Sequence, residues 1–142
     1  MSSLDTRQDP FYVDFYHTFG KYPNQEEHEC WRVLSIPFTM YMRMGIPKER
    51  FDVIFSQSVE ITAKDMGMSP PELFKLIEGV AHEYYQACQN FRPPMQYIRL
   101  GDLIPDKYGM HKLSIAVLAL TYLERTLGLS RFGQPNEQPH TT

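Results

Sequence analysis

The chain is poor in the residues that staple or anchor small proteins. Only two cysteines, Cys30 and Cys88, stand among its 142 residues. So sparse a pair is no disulfide framework, and both thiols are expected to be reduced. Basic excess is missing as well: 14 Lys and Arg against 17 Asp and Glu leave a net charge of −3, so no global positive field draws the chain to nucleic acid or anionic lipid. Long apolar runs are absent. The most apolar stretch, LSIAVLALTYL over residues 113–123, is far short of the roughly 20 residues a membrane-spanning helix needs. The opening MSSLDTRQDP has no apolar run and is not expected to be a signal peptide. A cytoplasmic location is the default expectation, with no role for a membrane.

Chemistry-bearing motifs are also lacking. There is no G-x-S-x-G, no phosphate-cradling glycine loop and no H-E-x-x-H. His28, Cys30, His82, Cys88 and His111 offer neither a C-x-x-C nor an H-x-x-x-H spacing. No catalytic, cofactor or metal site is therefore expected, and the chain does not read as an enzyme.

What is present is aromatic and helical. Nine Phe, nine Tyr and one Trp accompany eight Met. Residues 1–8 are polar and expected to be flexible, and the GQPNEQPHTT tail suggests disorder over 131–142. Between them the pattern predicts one helical domain over 9–130. Asp9 suits an N-cap, Pro10 a first helical position and Gly20 a C-cap, with Phe11, Phe15 and Phe19 spaced i, i+4, i+8 as a docking stripe. Tyr12 and Tyr16 lie beside that stripe and are expected to point outward.

A second helix opens at Asn24, with Glu26, Glu27 and Glu29 near its positive end, and carries Trp31, Leu34 and Phe38 at helical spacing. Pro37 is expected to kink or end it. Residues 38–44 then alternate like a strand, although methionine favours a helix, which is the preferred reading. A third helix starts at Pro47 and shows a face of Phe51, Ile54, Phe55, Ser58, Thr62 and Met66 up to Gly67. Ser69 and Glu72 form a capping box ahead of a fourth helix, whose face runs Leu73, Ile77, Val80, Ala81, Tyr84 and Cys88. Residues 91–109 are too rich in Pro and Gly for a long helix, with room for a short strand at 95–100. The last helix is apolar on every side from Ile115 to Leu120, which marks a central rod. The fold class is therefore all-α: about five helices packed around the C-terminal one, with possible minor short strands at 38–44 and 95–100.

The stretch MGMSPPELFKLI over residues 66–77 resembles the turn of a helix-turn-helix. Ala63 and Gly67 give the small residue and the turn glycine, and Ser69, Pro70, Glu72 and Lys75 would face DNA. The charge opposes that reading. Residues 60–90 carry Lys64 and Lys75 against Glu60, Asp65, Glu72, Glu78 and Glu83, whereas DNA affinity rests on neutralising phosphates. The leading expectation is a non-enzymatic protein-binding protein, an adaptor, chaperone-like regulator or inhibitor, with a homodimer as one form. Tyr12, Tyr16, Met40, Met42 and Met44 are its candidate interface residues. A helix-turn-helix regulator is the alternative.

Overall fold

The computed structural model describes residues 10–44, 47–89 and 99–127. Among these are five α-helices: α1 (Pro10–Phe19), α2 (Gln25–Met44), α3 (Lys48–Met66), α4 (Pro70–Gln89) and α5 (His111–Tyr122). Short 3₁₀ turns at Leu100–Leu103 and Asp106–Tyr108 lead into α5, and a wider π-helical turn, Leu123–Leu127, follows it. No strand occurs among the described residues. The bundle is all-α, as the periodicity indicates.

Local chemistry sets the helix ends. Asn24 and Glu27 form a reciprocal box at the start of α2: the Glu27 N–H donates to Asn24 Oδ1 at 2.8 Å, and the Asn24 N–H donates to Glu27 Oε1 at 3.0 Å. Lys21 adds an ion pair to Glu27 at 3.0 Å. Gly67 ends α3 with φ at 75°. The Met68 N–H then donates to Ala63 O at 3.0 Å and the Gly67 N–H to Lys64 O at 3.2 Å, closing a Schellman motif. Two residues later the predicted Ser69–Glu72 box opens α4.

The core is built on α5. Leu113, every residue from Ile115 to Thr121, and Leu123 are buried. This all-round burial needs neighbours on every side, which α4, α2, α3 and the 3₁₀ turns supply. The polar Thr121 is tolerated because its hydroxyl donates to Val117 O at 2.8 Å. Helix α1 reaches α2 and the 100–103 turn rather than α5. Its anchor is aromatic. Phe15 and Phe19 each meet the Trp31 ring edge-on at 5.6 Å, and the Trp31 indole N–H donates to the buried Asp14 carboxylate at 3.2 Å. Gly101 lets the 100–103 turn press on this end of α1, since a methyl there would fall 2.9 Å from the Thr18 carbonyl oxygen.

The structure decides between alternatives that the sequence leaves open. Helix α2 does not end at Pro37 but continues to Met44. Proline removes its own N–H, hence a single bond of the ladder, and the remaining turns hold the helix. Residues 38–44 are accordingly helical, since a strand there would have no partner to pair with. Leu100 opens a 3₁₀ turn and is no strand end; residues 95–98 lie outside the described residues, as do Asp9, residues 1–8 and residues 131–142. Tyr12 and Tyr16 are half-buried and lie against Tyr22, at 5.3 and 4.5 Å between ring centroids.

Two substitutions test the helix ends. Gly67→Ala should cost about 1–2 kcal/mol in urea unfolding, because φ is positive while a Cβ would meet nothing within 4 Å. The Ser69 N–H, and after it the Ser69 hydroxyl, hold the Glu72 carboxyl below its ordinary value. That stabilisation is present above the usual carboxylate range and is lost as pH falls through the folded value. The stability gap between wild type and Glu72→Gln should therefore narrow below about pH 4.

Candidate functional site

Helices α2 and α3 follow one another in sequence, yet they scarcely approach each other; each leans on α5 instead. The result is a splayed pair with a groove between. Val33 and Leu34 form the α2 wall, Ser58, Ile61 and Thr62 the α3 wall, and Ser114, Val117 and Leu118 the floor. Toward the start of α5 the groove runs on to Lys64 and Asp65. His111 Nε2 lies 2.9 Å from Asp65 Oδ2 there, tying the end of α3 to the start of α5.

The walls are apolar in effect. The Ser58 hydroxyl donates to Ile54 O at 2.9 Å, so its hydrogen-bonding capacity is partly spent inside its own helix. Val33 is 63% exposed and Ile61 is 70% exposed, one on each lip. The groove thus sets two solvent-exposed branched aliphatics beside an apolar floor.

Of the residues singled out from sequence, Tyr12 and Tyr16 come together with Tyr22, and the Tyr12 ring also meets His28 edge-on at 5.1 Å. Tyr22, 41% exposed, is the part of this cluster most open to solvent. The backbone of Met40, Met42 and Met44 is helical, and their side chains lie outside the described residues.

Ser69, Pro70, Glu72 and Lys75 are all exposed at the start of α4. A helix start binds phosphate through free N–H groups. Here Pro70 and Pro71 have none, the Glu72 N–H donates to Ser69 Oγ at 3.3 Å and the Leu73 N–H donates to Ser69 O at 3.0 Å. The Glu72 carboxylate adds a negative charge at the same place. Among the described cations, Lys112 pairs with Asp106 at 2.7 Å and the Arg99 side chain lies against Gly20, which leaves Lys64 and Lys75 exposed in this part of the chain.

Farther along α4, Phe74, Glu78 and His82 share a stripe that Tyr122 covers, its hydroxyl donating to Glu78 Oε2 at 3.2 Å. Burial, and then the Glu78 charge, push the Tyr122 phenol up. Cys88 is likewise raised, chiefly by burial. Among the described residues no group of three His, Cys, Asp or Glu side chains could hold a metal ion, and no helix is long and apolar enough to cross a membrane.

Sequence reasoning passed over Val33, Ile61 and the floor residues. A signal was available: both lip residues are aliphatics out of register with the core faces of their helices. Comparison of the chain with protein families, curated proteins and solved structures finds no match. For the α4 start the geometry has a direct consequence. Random duplex DNA at low salt should give no polarisation change at micromolar protein, and Lys75→Ala should alter nothing; salt-sensitive binding would contradict this.

Proposed function

We propose that the protein is a non-enzymatic binding module that takes an amphipathic helix of a partner protein into the groove between α2 and α3. The observation that carries this reading is the pairing of an apolar floor (Val117, Leu118) with two exposed aliphatic lips, Val33 and Ile61. A helix laid there would bridge the two lips and cover the Val33 and Ile61 side chains that the bundle leaves exposed. The partner face it calls for carries branched aliphatic side chains at i, i+3 or i+4, and i+7. Lys64 and Asp65 at the wider end supply one charge of each sign and favour a partner helix with a mixed-charge terminus over a strongly acidic or basic one.

A small-molecule reading is disfavoured by the shape. The groove is open along its length, whereas a small ligand needs most of its surface enclosed. The helix-turn-helix alternative gains no observation in its favour, since the α4 start offers neither free N–H groups nor clustered cations.

A displayed library of amphipathic helices of about 18 residues supplies the probe. Helices selected against the full chain should lose at least about tenfold in affinity to Val33→Asp or Ile61→Asp, a loss of about 1.4 kcal/mol or more. Both side chains are exposed, so the melting temperature should stay put. Selected helices that bind both variants as tightly as wild type would overturn the reading.

A further inference from the structure

The exposed face of α3 carries more than one lip of the groove. At about 100° per residue, Arg50, Val53, Gln57, Ile61 and Lys64 fall within about 40° of Gln57 on the helical wheel. All five are exposed, Val53 at 54%. The stripe therefore has two aliphatics and a central amide, with a cation at each end. Glu49 and Glu60 flank it on one side and Asp65 on the other, all three exposed. None of Glu49, Arg50 and Lys64 makes an ion pair with another described residue.

We propose that this face binds a second copy of the chain, α3 against α3, antiparallel about a two-fold axis through Gln57. The charges select this arrangement. In an antiparallel pair centred on Gln57, residues whose numbers sum to about 114 lie level with one another. Glu49 then meets Lys64 of the second copy on one flank, and Arg50 meets Asp65 of the second copy on the other. These four residues give each end of the pair two positive and two negative groups. A parallel, in-register pair would instead set Arg50 on Arg50, Lys64 on Lys64 and Glu49 on Glu49, which is repulsive. Val53 and Ile61 lie about 12 Å apart along the helix, so the antiparallel pair brings each near the other's counterpart and covers both. The pairing does not rest on helix capture, but it uses the same Ile61 side chain, so the two associations compete.

Sedimentation of the full chain from about 1 to about 200 µM should show a concentration-dependent dimer. Ile61→Glu should abolish it with an unchanged thermal melt. Glu49→Lys should weaken it roughly three- to tenfold, and adding Lys64→Glu to that variant should restore it, because the reversed pair again joins opposite charges. Gln57→Cys should form an interchain disulfide faster than the wild-type background set by Cys30 and Cys88. Lys64→Cys should not, because the two introduced thiols would be about 21 Å apart along the helices. A chain monomeric throughout the range overturns the proposal. So does a dimer indifferent to Ile61→Glu, a double variant as weak as Glu49→Lys alone, or cross-linking at position 64 as fast as at position 57.

Discussion

Everything in this bundle depends on covering α5. A helix apolar on all sides cannot face water, and each fully buried Leu, Ile or Val contributes about 1.5–3 kcal/mol when it is covered. Helix α4 provides one broad flank, with Leu73, Ile77, Val80, Ala81 and Tyr84 buried. Helices α2 and α3 close on the other flanks without closing on each other. The candidate site follows from that shortfall: Ser114, Val117 and Leu118 form its floor because the two walls diverge.

Helix α1 stands outside this arrangement and is held by different means. Phe15, Phe19 and Trp31 pack edge-on, and the buried Asp14 carboxylate accepts the Trp31 indole N–H. A carboxylate among aromatic rings is tolerable only with donors at hand. It fixes one orientation of the indole, which an all-apolar contact would not do. The outer side of α1 is a second aromatic surface, where Tyr12 and Tyr16 lie against Tyr22.

The firmest local signals in the sequence were steric and polar ones acting over a few residues. Gly67, Ser69 and Glu72 define a helix stop and start whose hydrogen bonds form as their spacing indicates. The apolar run after Leu113 marked the rod, because a helix without a polar face has to be central. Less legible were features set by packing. Pro37 left a kink or an end open, and the helix runs on past it to Met44. Asp14 carried no signal, since a lone acid inside an aromatic stripe resembles a solvated side chain until Trp31 is placed beside it. Val33 and Ile61 were visible as aliphatics out of register, but only the divergence of α2 from α3 makes them the two lips of one groove.

The central claim is that the groove between α2 and α3, with its exposed Val33 and Ile61 lips over the buried floor of α5, docks a helix. Methyl NMR on the full chain reads this most directly, with a selected amphipathic helix as the added probe. The account predicts that the methyls of Val33, Ile61, Val117 and Leu118 shift together and saturate with one affinity, while those of Val80 and Ile104, buried elsewhere, stay in place. Saturating shifts confined to other methyls, with Val117 and Leu118 unmoved, would contradict it.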